Sequence, residues 1–152
     1  MAKDTGELEN ILKSTHTGNI KEYIEANAGS MLKGDRPFTD YMRDLIRDKG
    51  IKQQDVFLEA DIPERYGYKL VSGEKHTRQR DIILRICYAA QFTVDETNGA
   101  LKRYGMPTLY AKDKRDAILI VIFNDRPGDI LKVNSVLKDN GVETLKSSGV
   151  QD

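Results

Sequence analysis

The sequence predicts an all-α protein, and three observations lead to this prediction. Apolar residues recur at spacings of three and four positions along most of the chain, as they do on one face of an α-helix. Helix start and stop signals separate these segments, and the clearest is Thr93 with Glu96, which has the spacing of a capping box. The segment 117–123 is β-branched enough for a buried strand, but no second strand is evident to pair with it, so we assign it to a helix.

An N-terminal appendage of two short helices is predicted for residues 1–34. Leu8, Ile11 and Leu12 share one face of the first helix, and a similar pattern follows after a glycine. Helices this short are marginal by themselves, so we expect them to dock on another surface. The charged stretch 33–37, which also contains turn residues, is the predicted boundary to the next domain.

A domain of five helices is predicted for residues 38–105. The first helix follows the amphipathic template without a miss, and Thr39 is its candidate N-cap. The fourth helix is apolar beyond a single stripe, which predicts central burial. In order, the helices run from Phe38 to Gly50, from about Lys52 to Ala60, from the turn at 61–63 to Gly73, from about Thr77 through Ala90, and from Thr93 to Gly105.

A C-terminal extension, residues 106–145, adds a helical pair before a polar tail, residues 146–152, whose tip we expect to be disordered. Asp113 is the candidate start of the first helix, and the second ends at Asn140-Gly141. The apolar stretch 117–137 exceeds what a five-helix core needs, so we expect it to mediate dimerisation. No internal repeat or low-complexity tract is evident.

Composition excludes several functional classes. The 24 basic and 24 acidic residues cancel, so the net charge attracts neither nucleic acid nor a membrane, and any basic footprint must be local. A single cysteine, Cys87, and two histidines in polar stretches offer no disulfide framework, metal site or catalytic triad. No apolar run is long enough to cross a bilayer. We therefore expect a cytoplasmic protein that is not an enzyme and uses no cofactor or metal.

The most informative stretch is 61–75, DIPERYGYKLVSGEK, in which a tight turn presents a short helix. Short helices joined by short turns, the later one exposing aromatic and basic residues, are typical of the helix-turn-helix, whose second helix enters the DNA major groove. The segment 50–75 resembles the helix-turn-helix of lambda-repressor-like, xenobiotic-response-element-type regulators. The resemblance covers residues 38–105 and implies that family's five-helix DNA-binding core. The later segment 99–124 resembles the C-terminal part of uncharacterised bacterial proteins grouped with such regulators.

The resemblance also implies DNA-binding residues. Gln53 matches the glutamine that opens the family's first motif helix and touches a phosphate. Arginine presents two donors in a fork that suits guanine, and lysine presents a point charge for guanine or phosphate. Between Ile62 and Arg80 five basic residues stand against two acidic ones, which is the sign that DNA requires. The predicted contacts are Gln53, Glu64, Arg65, Tyr68, Lys69, Lys75, Arg78 and Arg80.

Three positions depart from the family pattern. Phe57 stands where the family usually has a small residue, Asp61 where it has a turn glycine, and Gly67 where it has an apolar side chain. We interpret Phe57 and Gly67 as a coupled pair, in which the large ring fills the space of the missing side chain. Asp61 is an easier exchange, because aspartate tolerates turn conformations.

Two functions therefore remain open. The first is a sequence-specific transcriptional regulator that binds the major groove of double-stranded DNA as a homodimer. The second keeps the helix-turn-helix fold but docks on a signalling protein through the same exposed helix. The local positive charge and Gln53 favour DNA, whereas the neutral net charge and the three departures favour a protein partner.

Overall fold

A computed structural model describes residues 5–13, 16–22 and 37–147 of the protein. Every regular element within these residues is a helix, so the all-α prediction is confirmed. The ambiguous segment 117–123 lies inside the helix Lys114–Asp125. None of the described helices is both long and apolar enough to cross a membrane.

The chain divides into two units, Met1–Asp35 and Arg36–Asp152. In the first unit, α1 spans Thr5–Lys13 and a short 3₁₀ turn spans Thr17–Asn19. None of the residues of α1 is buried, and Leu12 on its apolar face is exposed. Most of the predicted second helix and nearly all of the charged boundary stretch lie outside the described residues.

The second unit contains seven helices among its described residues. The first five correspond to the helices predicted for the 38–105 domain, and the last two correspond to the predicted C-terminal pair. They are α2 (Phe38–Asp48), α3 (Gln53–Glu59), α4 (Glu64–Ser72), α5 (Arg80–Ala89), α6 (Val94–Arg103), α7 (Lys114–Asp125) and α8 (Ile130–Asp139).

The helix α5 is the centre of this unit. All of its residues from Asp81 to Tyr88 are buried, as its broad apolar pattern predicted. It packs against α3 and α6, while α4 packs against α2 and α3, and α7 packs against α6 and α8. One apolar cluster runs from Phe38 in α2 to Leu145 beyond α8. The C-terminal pair therefore shares its core with the preceding helices.

The apolar C-terminal stretch is mostly used inside the chain. Leu119, Ile122 and Phe123 of α7 and Val133 and Leu137 of α8 are buried in that same cluster. Dimerisation was expected because this stretch has more apolar residues than a five-helix core needs. For most of the stretch that reason is wrong, because its apolar side chains fill the chain's own core. Dimerisation itself stays a prediction.

Local capping explains several helix ends as predicted. Thr93 and Glu96 form the complete capping box, with hydrogen bonds of 3.1 and 2.9 Å. The carboxylate of Asp113 accepts the N–H of Asp116 at 2.9 Å and so begins α7. Gly73 ends α4 with a left-handed φ of +83°, a conformation that glycine adopts without strain.

Two predicted helix starts are corrected. The helix α2 begins before Thr39, because Pro37 holds the N-cap position with extended backbone. The helix α5 begins at Arg80 and not near Thr77. The hydroxyl of Thr77 instead accepts the N–H of Gln79 at 3.0 Å, in the turn that precedes the helix.

The unit contains an internal repeat, which was not expected from the sequence. Residues 79–111 and 114–147 each form a helix, a short connection, a second helix and a loop. Asn98 and Asn134 act alike, since each side-chain oxygen accepts the N–H of a leucine 11 residues further on, at 2.8 Å. Identical pairs include Arg80 and Arg115, Asp81 and Asp116, Asn98 and Asn134, Leu101 and Leu137, Gly105 and Gly141, and Thr108 and Thr144.

Crossed ion pairs join the two repeats. Arg80 donates to Asp116 at 2.8 and 2.9 Å, and Arg115 donates to Asp81 with both distances 3.0 Å. Each arginine also donates to two carbonyls in the loop of its own repeat. Each aspartate accepts a backbone N–H from the loop of the other repeat. The two repeats therefore hold each other through equivalent contacts.

Two carboxyl groups of this unit have lowered pKa values. Burial works to raise the pKa of Asp116, but the hydrogen bonds from Arg80 and from the N–H of Tyr110 outweigh it and hold that pKa below its ordinary value of 3.8. Burial also works to raise the pKa of Glu96, and Lys49, with Nζ 2.8 Å from its carboxylate, together with the Thr93 cap, lowers it below 4.5.

We therefore expect the stability of this unit to fall in acid. Both groups bind protons more readily in the unfolded chain, so their contribution is fully present above about pH 4.5 and is lost as the pH falls through their lower folded pKa values. Urea unfolding at a series of pH values measures this loss. Asp116→Asn should cost about 2 kcal/mol at neutral pH and weaken the acid dependence, whereas the exposed Asp139→Asn should change neither. An acid dependence unaltered by Asp116→Asn would contradict this assignment.

Candidate nucleic-acid interface

A tight turn joins α3 to α4. Ala60 ends α3, and Asp61 then adopts a left-handed backbone with φ of +55°. The N–H of Asp61 donates to the carbonyl of Leu58 at 3.1 Å, and the N–H of Ile62 donates to that of Phe57 at 3.0 Å. Aspartate adopts this left-handed conformation more readily than most residues, so Asp61 suits the turn, as expected from the sequence.

Phe57 lies directly against Gly67, as the coupled-pair interpretation predicted. The side chain of Phe57 has no solvent exposure, and a Cβ atom added to Gly67 would lie 2.5 Å from its Cγ. The ring also meets the ring of Tyr68 edge to face, with centroids 5.0 Å apart. The missing side chain at Gly67 therefore allows α3 and α4 to approach each other around the phenylalanine ring.

An open cleft of about 640 Å³ lies beside the exposed face of α4. Four of the predicted contact residues line it together: Gln53 from the start of α3, and Arg65, Tyr68 and Lys69 from α4. Tyr68 is 40% exposed although its ring packs on Phe57. Within the described residues, neither Arg65 nor Lys69 forms a salt bridge. Their charges are thus available to a ligand.

Two residues of α2, Thr39 and Arg43, also line the cleft and were missed from the sequence. Arg43 lies 2.8 Å from the carboxylate of Asp40 and 3.5 Å from that of Asp44, so its charge is partly offset. In the sequence, the only indication of their role is that these two polar residues are spaced i, i+4 and so lie on one face of α2. Only the tertiary structure shows that this face of α2 meets the end of α4, where Thr39 packs close to Gly73.

The other four predicted residues do not line this cleft. Glu64 begins α4 and Lys75 follows it, and both are exposed. Arg78 lines a separate cleft beside the crossed ion pairs. Arg80 donates to Asp116 and to two loop carbonyls, so it links the two repeats, and its contact with DNA stays a prediction.

Three further observations on the described residues concern metal ligands and reactive side chains. Among the described residues, no group of three or more His, Cys, Asp or Glu side chains is placed to hold a metal ion. The thiol of Cys87 is completely buried, and this burial raises its pKa, which keeps it protonated. The ring of His76 stacks on that of Tyr104 with centroids 4.3 Å apart.

The fold and the cleft define an all-α protein in which a turn-presented helix and its neighbours surround a cleft with basic side chains. The chain matches no model of a known protein family, no curated protein and no solved structure. Its function is therefore inferred from the residues of the cleft themselves.

Proposed function

We propose that this protein is a transcriptional regulator of the helix-turn-helix type, which binds double-stranded DNA through α4 and the cleft beside it. One observation carries the proposal: Gln53, Arg65, Tyr68 and Lys69, chosen as DNA contacts from the sequence, line one cleft. The helix α4 has nine residues, so it is about 13 Å long. A short helix with one exposed face is the shape that the major groove accepts.

Each side chain of the cleft suits one kind of contact. The guanidinium of Arg65 is exposed, and its planar fork can donate twice to one guanine edge. Lys69 lies one turn further along α4, where its point charge suits a phosphate or a guanine. Gln53 is partly exposed, and its amide can donate to a phosphate and so orient the protein on the duplex.

A protein partner is the second candidate, because the positive charge of the cleft is small. The formal net charge of the chain is zero. Arg43 already pairs with Asp40, and Glu74 also lines the cleft. An interaction module with this fold would use the exposed face of α4 to dock on a signalling protein, and Arg65 and Lys69 would then face acidic groups on that partner.

Selection of genomic fragments with the purified protein separates the two candidates. A regulator is expected to enrich a palindromic sequence, and its affinity should fall steeply as the salt concentration rises. An interaction module is expected to enrich no sequence. Failure to enrich DNA at low salt would move the assignment to the protein partner.

Arg65→Ala and Lys69→Ala are each expected to lower DNA affinity by about tenfold, because each removes a contact to a base or a phosphate. If Lys69 contacts a phosphate, its loss should also reduce the salt dependence by about one released counterion. Fluorescence anisotropy at several salt concentrations measures both effects. Lys138→Ala, an exposed lysine of α8, is the matched control. Equal affinities for all three variants and the unmodified protein would contradict the proposed site.

A further inference from the structure

We propose that α7 carries a surface that binds α7 of a second copy of this chain in antiparallel orientation. The surface is a stripe of Lys114, Ile118, Val121 and Asp125, which follow one another at i, i+4, i+7 and i+11 on one side of the helix. Val121 is 56% exposed, Lys114 and Asp125 are exposed, and Ile118 is partly buried. Val121 is thus a part of the apolar C-terminal stretch that the core leaves open.

The internal repeat shows that a stripe at this place can be covered by another helix. In the first repeat, the three positions that correspond to Ile118, Val121 and Asp125 are apolar and have no solvent exposure: they are Ile83 and Ile86 in α5 and Ala90 directly after it. The helix α5 packs against α3 as well as α6, whereas α7 packs against α6 and α8. The second repeat therefore presents a face that the first repeat keeps buried.

The charges at the ends of the stripe identify what covers it. Lys114 begins α7 and Asp125 ends it, so each charge opposes the dipole of its own helix. Neither forms a salt bridge within the described part of the chain. When two α7 helices pair antiparallel, with the axis between Ile118 and Val121, each Lys114 meets the partner's Asp125 and each Ile118 meets the partner's Val121. The stripe is complementary to itself in charge and in apolar character.

The biological role of this surface rests on the proposed function: a dimer formed through α7 would double the number of DNA contacts. Self-association is measured without DNA, so a failure of the α7 surface is distinguishable from a failure of DNA binding.

Sedimentation equilibrium of the full chain is the first test. The protein is expected to associate to a dimer at tens of micromolar, and Val121→Arg should abolish that association. Leu131→Arg is the matched control, because Leu131 of α8 is 78% exposed and lies outside the stripe. Circular dichroism should show the same helix content for both variants. A monomer throughout, or equal effects of the two variants, would overturn the proposal.

Charge reversal is the sharper test. Lys114→Glu and Asp125→Lys are each expected to weaken dimerisation by about tenfold, because two-fold symmetry makes each change act at two contacts. Each new charge agrees with the dipole of its own helix, so a weaker dimer is not explained by a less stable helix.

Mixing the two charge-reversal variants should restore association. The carboxylate introduced at position 114 of one variant then meets the ammonium group introduced at position 125 of the other. At the second contact, the unchanged Asp125 of the first variant meets the partner's Lys114. A mixture that associates no better than either variant alone would overturn the antiparallel arrangement.

Discussion

Replacing Gly67 with isoleucine is expected to destabilise the second unit by about 3 kcal/mol, because the new side chain needs the space that the Phe57 ring occupies. The Cγ of Phe57 would lie 2.5 Å from the added Cβ, and Phe57 is fully buried, so the ring has no solvent-filled space to enter. An ordinary helix would gain about 1 kcal/mol when glycine is replaced by a better helix former. A loss of stability in Gly67→Ile therefore reports the clash with Phe57 and not a change in intrinsic helix propensity. Urea unfolding gives the free energy directly.

The double variant Phe57→Ala, Gly67→Ile tests the coupling. Phe57→Ala alone should cost about 3 to 5 kcal/mol, since it leaves a cavity between α3 and α4. In the double variant the isoleucine fills part of that cavity, so the two changes should be less harmful together than their sum, by about 1 to 3 kcal/mol. A cost in the double variant equal to the sum of the two single costs would refute the pairing of Phe57 with Gly67.

The same change bears on function. Gly67 lies on the buried face of α4, whereas Arg65 and Tyr68 are exposed and Lys69 is partly exposed. If α4 moves away from α3 to admit a larger residue, Gln53 and the side chains of α4 no longer line one cleft. DNA affinity is therefore expected to fall in Gly67→Ile even at temperatures where the variant is still folded.

Replacing Arg85 with methionine is expected to cost about 3 to 4 kcal/mol, because it leaves buried carbonyls without a donor. The side chain of Arg85 is only 3% exposed, and its guanidinium donates to the carbonyls of Ala60 at 3.1 Å, Leu145 at 2.8 Å and Lys146 at 2.7 Å. Burial lowers the pKa of Arg85, and the nearby carboxylates of Asp61 and Asp81 counter that effect. Methionine keeps much of the side-chain volume, so the loss reports the hydrogen bonds and not a cavity.

Two measurements define this second result. Urea unfolding gives the loss of stability, and hydrogen exchange at the amides of Leu145 and Lys146 shows whether the chain beyond α8 detaches. Lys138→Met, at an exposed position, is the matched control and should stay within about 0.5 kcal/mol of the unmodified protein. A loss below about 1 kcal/mol for Arg85→Met, with unchanged exchange, would show that the three hydrogen bonds do not hold the segment after α8.

The helices themselves were predictable from local patterns. The capping box at Thr93, the cap at Asp113 and the stop at Gly73 depend on partners within a few residues, so the sequence contains the whole interaction. Thr39 and Thr77 were wrongly predicted as helix starts, because several residues near the start of a helix are suitable caps. Which residue takes the N-cap position depends on its neighbours: Pro37 takes it in α2, and Thr77 lies in a turn that precedes α5.

The internal repeat was harder to see. Its identical residues fall in short groups, such as RDIIL at 80–84 and RDAIL at 115–119, and the offset between the groups changes from 35 to 36 positions between the two halves of the repeat. The repeat becomes clear only when equivalent hydrogen bonds are compared, as at Asn98 and Asn134.

For this protein, the sequence alone determined the all-α class, most helix boundaries and the pairing of Phe57 with Gly67, because periodicity, capping and side-chain volume act over short distances along the chain. Only the tertiary structure decided which charged residues face solvent. Arg65 and Arg80 are alike in the sequence, yet Arg65 is exposed beside the cleft while Arg80 pairs with Asp116, 36 residues away. The physical reason is that a buried charge needs a partner, and the fold chooses that partner by bringing distant segments together.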